Sequence, residues 1–392
     1  MKLMSFKYFK RQRILALVLI LVLASTLFSI TVSSLLGFYR GFTAYLGEGE
    51  DIVLIYNRKS RTPFTGSVPI YLTERIGTMN GVLVSSPEAI APCVVDDEAI
   101  FLRGIIPGDF MKLNQLSVLD GELLELSDAD CMIVGRNLAE RFELKLGDKF
   151  LIHSVLTDQY MELRIKGVYE SHSAMDDEAL VPLYVGQWLV GVDYSHVTLI
   201  RFKIDRGAVS PSTIFEEVAK EASEPSPAHD GGETRPIDQI IPGVRTSFSI
   251  EDIGVEEAQV LMKSYMDRYG VTREALLVVS VLIFLLSSAS ITVALKIVLT
   301  QHTGEIGVLR SIGASKRTMK RDILIKLLPW SLVSSAMGIL MATATLMITQ
   351  ENSYLLVLSH RVSFNLDLLS MATILILVSL FVSITILRSD LK

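Results

Sequence analysis

The sequence predicts a membrane protein with four transmembrane α-helices, one amino-terminal and three carboxy-terminal. A large mixed α/β extracytoplasmic domain is inserted between spans one and two. Three observations lead there. Half of the 392 residues are hydrophobic, and the mean hydropathy of +0.43 is high for a chain that never enters a membrane. Long apolar runs are confined to the two ends of the chain. Between them the charge balance reverses: residues 48–252 carry 18 Lys and Arg against 34 Asp and Glu, whereas the remainder carries 19 against 9.

A helix needs about 20 mostly apolar residues to cross the hydrocarbon core. Four stretches qualify, from Ile14 to Leu36, Ala275 to Leu299, Leu327 to Ile348 and Leu368 to Leu387. The first, third and fourth hold no charge, and the second holds only Lys296, close enough to its end to snorkel. Orientation follows from the flanking bases. Lys2, Lys7, Lys10, Arg11 and Arg13 precede span one, and Arg310, Lys316, Arg317, Lys320, Arg321 and Lys326 lie between spans two and three. Both segments are expected in the cytoplasm, with both termini inside and the acidic segment outside. A cleaved signal peptide is the alternative for span one, but its apolar run exceeds the roughly 7–15 residues of an h-region and lacks a clear A-x-A site, which favours a retained anchor.

The expected organisation is a cytoplasmic segment (1–13), span one with an outward stalk extension (14–47), the extracytoplasmic α/β domain (48–254) and a stalk helix (255–274). Span two (275–299), a cytoplasmic loop (300–326), span three (327–348), an outer loop (349–367), span four (368–388) and a cytoplasmic tail (389–392) complete it.

Within the outer segment, DIVLIY, CMIVG, KFLIHS and VTLIRFKI are short, rich in Val and Ile and bounded by polar or turn residues, as strands are. MELRIKGV alternates Met161, Leu163 and Ile165 with Glu162, Arg164 and Lys166, the pattern of a half-buried strand. Leu138, Phe142 and Leu146 share a helical face, followed by an LGD turn. A further helix is expected near Thr213, whose spacing to Glu216 fits a capping box, with Ile214, Phe215, Val218 and Ala222 as its apolar side. Residues 224–236 are Pro, Gly and charge without periodicity and read as a mobile surface loop. Cys93 and Cys131 both fall in the outer segment, where a disulfide is chemically permitted and two buried free thiols are equally compatible.

Ala258, Leu261, Met262, Tyr265 and Tyr269 recur at helical spacing just before span two, and Phe38, Phe42 and Tyr45 share a face beyond span one. These two segments are expected to pair as a stalk, or else to rest separately on the bilayer. In span three, Ser334, Gly338 and Ala342 at spacing four form a small-xxx-small packing face.

Chemistry is sparse. The chain contains no G-x-S-x-G elbow, no H-E-x-x-H and no C-x-x-C, which removes the usual support for serine hydrolase, zincin and thioredoxin-like readings. The best candidate metal ligands are His172, Asp176, Asp177 and Glu178, although a solvated acidic loop explains them more simply. His153, His196, His229 and His360 stand alone and read as structural or surface residues. No catalytic, cofactor-binding or metal site is assigned. A phosphate-cradling loop requires Gly-Lys, a dipeptide absent from the whole chain, so no Walker A motif is present.

The segment GEIGVLRSIGASKRTMKRDILIK between spans two and three has its own logic. Ile306, Leu309 and Ile312 at spacing three, with Val308 beside them, give a short helix an apolar face; Gly313 can end it, and Ser315 can cap the basic helix that follows. A basic loop touching anionic lipid would account for the bases, but it does not require the apolar spacing or Gly304 and Gly307.

This segment strongly resembles the signature of FtsX-like permeases of the MacB and LolCDE group of ABC transporters, E-I-G-x-L-R-x-I-G-A-[ST], at Glu305, Ile306, Gly307, Leu309, Arg310, Ile312, Gly313, Ala314 and Ser315. IVGRNLAERFELKLGDKFLI and IKGVYE are similar to part of a MacB-type periplasmic core domain; across 38–130 the likeness rests mainly on length and on DIVLIY. The resemblance implies a permease that dimerises, with a second copy of itself as the expected partner, and pairs with two copies of a separate ATPase, which would bind ATP and Mg. It implies that the helix at 304–314 docks that ATPase through Glu305, Arg310 and their apolar neighbours, while the stalk moves the outer domain. Membrane lipid and an extracytoplasmic protein are further expected partners, and nucleic acid is not. Three functions are weighed: export or extraction of a hydrophobic, peptide or lipid-linked substrate; mechanotransmission to an extracellular enzyme; and a membrane-anchored receptor or enzyme without an ATPase.

Overall fold

The computed structural model describes residues 11–47, 51–223, 252–301, 303–351, 356–357, 359–361 and 368–388. The stretch 224–236, the bases Lys2, Lys7 and Lys10 and the tail 389–392 lie outside the described residues. The chain divides into two units, one made of residues 1–40, 270–355 and 362–392, the other of residues 41–269 and 356–361.

Four apolar helices build the first unit: α1 (Arg11–Ala44, of which residues up to 40 belong here), α8 (Arg273–Gln301), α10 (Lys316–Glu351) and α11 (Leu368–Arg388). Each contains a stretch long and apolar enough to cross a membrane. On α1, Leu17, Leu21 and Phe28 are buried, whereas Leu15, Leu19, Leu23 and Leu27 recur every four residues on the exposed side. Buried partners come from Leu295 of α8, Ile323 and Ile339 of α10, and Val378 and Val382 of α11. An outer surface made of leucine and valine, such as the well-exposed Leu282, Leu285 and Leu286, suits hydrocarbon rather than water. Pro329 stands inside α10, a position membrane helices tolerate better than soluble ones.

The second unit is organised by one long strand, β3 (Val82–Val95). Its first half pairs antiparallel with β11 (Leu199–Ile204), which continues to β1 (Ile52–Asn57) and β12 (Ile253–Glu257). Its second half pairs with β4 (Glu98–Ile105), and from there the sheet runs through β9 (Glu178–Pro182), β6 (Cys131–Gly135) and β8 (Tyr160–Glu170) to β7 (Lys149–Ser154). Strand β7 pairs back onto β3 at Cys93 and Val94, so six strands close on themselves. Alternation fills the interior: Ile100 and Leu102 from β4, Met132 and Val134 from β6, Leu163 and Ile165 from β8 all point into one core. β5 (Ser117–Gly121) adds to the outer side of β8. Helix α5 (Leu183–Val190) approaches β4 backbone to backbone; a Cβ built on Gly104 would lie 2.7 Å from Gly186 Cα, so no larger residue fits there.

Several elements differ from the sequence expectations, each for a local reason. Residues from Val255 to Glu257 pair with β1, so the expected stalk helix starts later, as α7 (Ala258–Arg268). Left-handed Gly270 follows it, and the Thr272 hydroxyl caps α8 by accepting the Ala275 N–H at 3.0 Å. The helix expected near Thr213 is α6 (Pro211–Ser223), and its cap is Ser210, whose hydroxyl accepts the Thr213 N–H at 3.3 Å. Helix α4 (Arg136–Arg141) ends before left-handed Glu143, which leaves Leu146 exposed instead of sharing a buried face with Leu138. Both cysteines are buried free thiols, and burial pushes Cys93 up to about 12.

Candidate functional site

At one end of the helical unit, α9 (Thr303–Ser311) stands between α8 and α10. Gly313 has φ 96°, a left-handed conformation in which its N–H reaches the Arg310 carbonyl at 3.0 Å. Ser315 caps α10, its hydroxyl accepting the Thr318 N–H at 3.2 Å. The structure divides the apolar set of this segment. Ile306 is 2% exposed and packs in the helical core, whereas Val308 and Ile312 are 60% and 78% exposed. Ile306 therefore anchors α9 and does not belong to an outward face with Ile312. Gly304 and Gly307 are exposed, and a Cβ on either would meet nothing within 4 Å. Among the described residues nothing requires these glycines, although each costs the helix about 1 kcal/mol against alanine. Arg310 is exposed, and the side chains of Glu305 and Leu309 lie outside the described residues.

Span packing in this unit centres on small residues. Ser334 and Ala342 are buried, and a Cβ on Gly338 would sit 2.6 Å from Ser25 Cβ. On α1, Ser25, Ser29 and Ser33 repeat the spacing of four and are also buried, while the Thr26 hydroxyl donates to the Gly338 carbonyl at 3.2 Å. Gly338 thus marks a close crossing of α1 and α10, which small residues on both helices permit. The partner face on α1 was overlooked in the sequence because serines every four residues in an apolar run resemble ordinary span composition.

Of the stalk residues, Phe38 belongs to the helical unit and Phe42 to the α/β unit. Phe42 stacks on Tyr265 with ring centroids 6.0 Å apart, and Tyr265 meets Tyr269 at 4.9 Å. Leu261 and Met262 are buried in a cluster with Tyr45, Leu46 and Leu54. The inner side of α7 is therefore part of the α/β core, as is the end of α1 that it touches.

Beside that cluster lies a set of buried ions. Arg103, with no exposed surface, donates from Nε and Nη2 to the two oxygens of Glu178 at 2.7 and 2.8 Å and from Nη1 to Glu88. Arg201 donates from Nε to the other oxygen of Glu88 at 2.6 Å and from Nη1 to the Leu46 carbonyl at 3.1 Å. Two carboxylates and two guanidiniums balance. Glu178 also accepts the Tyr45 hydroxyl, and His360 Nε2 lies 3.2 Å from it. His360 and Arg361 form β14, which pairs with β13 (Leu356–Val357) in a hairpin held in the α/β unit. The Arg361 N–H donates to Asp177 at 2.8 Å, and its guanidinium reaches the Asn137 carbonyl at 3.1 Å and Glu140 at 3.2 Å.

Burial alone would raise the Glu178 carboxyl, but the charge and hydrogen bonds of Arg103 outweigh it and hold the group far below the usual carboxylate range. For Asp177, burial prevails over the bonds from Arg361 and Asn137, and its carboxyl is raised. Asp176, Asp177 and Glu178 are thus buried groups bonded into the fold, not a solvated acidic loop. Among the described residues no group of three His, Cys, Asp or Glu is arranged to hold a metal. His360, which seemed isolated in the sequence, meets its partners across 182 residues. The arrangement brings no nucleophile to a base; its chemistry is to tie the end of α1, strand β9 and the β13–β14 hairpin to one carboxylate.

Fold and site together define a multi-span membrane protein carrying an α/β domain between its first span and the remaining three. Residues 277–391 match the family described as FtsX-like permease C-terminal. Among solved structures, the chain is similar to the periplasmic region of MacB from Actinobacillus actinomycetemcomitans, at 12% identity over 55% of this chain and 92% of that one, with a TM-score of 0.36. It is also similar to the extracellular domain of the noncanonic ABC-type transporter YknZ from Gram-positive bacteria, at 18% identity over 39% and 83%, with a TM-score of 0.30. No curated protein matches the chain.

Proposed function

We propose that the chain is the permease subunit of an ABC transporter, non-catalytic itself, acting as a dimer with two copies of a separate ATPase that binds ATP and Mg. In this reading residues 300–326 form the cytoplasmic docking loop and residues 48–254 the extracytoplasmic domain. ATP-driven movement of that domain serves export or extraction of a hydrophobic, peptide or lipid-linked substrate. The observation that carries the proposal is the outward face of α9, where Gly304, Gly307, Val308 and Arg310 are exposed while Ile306 is buried in the helical core. Glycines that no internal contact explains allow a second protein to approach the helix closely. The lack of a Walker A motif in this sequence supports a nucleotide site on a separate subunit.

A second reading, mechanotransmission to an extracellular enzyme, draws on the Glu178 node. In that node Tyr45, just past α1, and His360 of the β13–β14 hairpin both meet the Glu178 carboxylate within the α/β unit, which supports this reading. Both readings share the inner docking step. It is tested by purifying the tagged chain in mild detergent with its ATPase: Val308→Glu should release an ATPase that wild type retains, with the permease still folded. Equal retention by both would remove the basis for the docking assignment.

A further inference from the structure

The first two turns of α10 carry Lys316, Arg317, Lys320 and Arg321, and together with Leu324 and Leu387 they line a cavity of about 510 Å³. The spacing puts these cations on one side of the helix, with Leu324 one turn further along it. Leu387 comes from the last turn of α11, and Lys320 Nζ donates to its backbone carbonyl at 2.6 Å, joining the two walls. Lys316 with Lys320, and Arg317 with Arg321, are like-charge pairs four residues apart, a destabilising arrangement in an isolated helix. No carboxylate among the described residues pairs with any of the four. The nearest acid in sequence, Asp322, is bonded to Lys326 at 2.5 Å.

We propose that this cavity is a binding site for the headgroup of an anionic phospholipid, the phosphate held by the four cations and the start of an acyl chain lying against Leu324 and Leu387. The cations alone would suit any phosphate. The choice of a lipid rests on the apolar wall beside them and on its position where two span-length helices begin and end. The inference draws on the proposed function only in assigning this end of the bundle to the cytoplasmic leaflet, and its test involves no ATPase.

The purified full-length chain is assayed in phosphatidylcholine nanodiscs with and without dioleoyl phosphatidylglycerol, reading thermal unfolding and, by native mass spectrometry after release into detergent, retained lipid. Wild type should unfold at higher temperature with phosphatidylglycerol and retain it selectively. Arg317→Gln with Arg321→Gln should weaken retention about thirtyfold, taking the effect of two cations at a membrane surface. Arg317→Lys with Arg321→Lys should keep most of it, and so should Lys296→Gln, which removes a cation outside the cavity. Inorganic phosphate at matched ionic strength should not reproduce the stabilisation. Stabilisation by phosphate equal to that by lipid would make this a free-anion site and overturn the proposal. An equal loss from Lys296→Gln would reduce it to diffuse surface charge, and no difference between the two lipids would dismiss it. Val308→Glu should retain phosphatidylglycerol, so failure of ATPase docking and failure of lipid binding are read separately.

Discussion

The α/β unit and the α9–α10 end of the helical unit both concentrate charge, and they treat it in opposite ways. In the α/β unit Glu88, Arg103, Glu178 and Arg201 are fully or almost fully buried, balanced in sign and bonded to one another. Near α9 and α10 the cations are mostly exposed, and among the described residues the four at the cavity face no carboxylate. A region that satisfies its charges internally gains one fixed shape, whereas a region that leaves them open depends on molecules outside the chain. In the proposed function the first would be the body that is moved, and the second the surface that docks.

The largest effect is expected from Arg103→Met, which leaves Glu88 and Glu178 without their shared guanidinium. Removing one partner of a buried ion pair costs about 3–5 kcal/mol, and denaturant unfolding of the full chain in detergent should report a loss of that size in the α/β transition. The same cluster has a defined pH signature. The folded Glu178 carboxyl lies below its unfolded value, so its stabilisation is complete above the ordinary carboxylate pKa of about 4.3 and is lost as pH falls through the folded value. The stability gap between wild type and Glu178→Gln should therefore hold from neutral pH down to about 5 and narrow below about 4. Asp177 runs the other way: its raised carboxyl contributes most at low pH and loses that contribution as pH rises through the folded value.

A smaller effect is expected where α1 and α10 cross. Gly338→Val places a Cβ 2.6 Å from Ser25 Cβ and should destabilise the helical unit by about 1–3 kcal/mol, seen in its thermal unfolding; an unchanged midpoint would refute the close crossing. The smallest belongs to the surface. Lys149 and Glu162 are 2.6 Å apart but 67% and 56% exposed, so Lys149→Ala should cost under about 1 kcal/mol, and a loss matching that of Arg103→Met would erase the contrast between buried and exposed charge.

Legibility in the sequence followed the range of the interactions. The spans could be read because a lipid-crossing helix writes some 20 consecutive apolar residues, and β1, β6, β7 and β8 because each is short and apolar or alternating. Strand β3 was missed: Ser85, Ser86, Pro87, Glu88 and Pro92 interrupt its run, and it stands because neighbouring strands pair along its whole length. The acidic run at 176–178 was misread for a related reason. Its partners Tyr45, Arg103 and Arg361 are remote in the chain, and local composition carries no trace of them. In α9 the signature itself was visible, but the inward turn of Ile306 depends on the packing of α8 and α10 around it.

ATPase docking on the proposed face of α9 is checked by placing a photo-crosslinking amino acid at position 308 in living cells and sequencing the adduct. The expected result is a crosslink to a protein bearing a Walker A motif, and none to it when the probe stands at position 136 on the α/β unit. Adducts with lipid alone, or with no ATPase at saturating illumination, would contradict it.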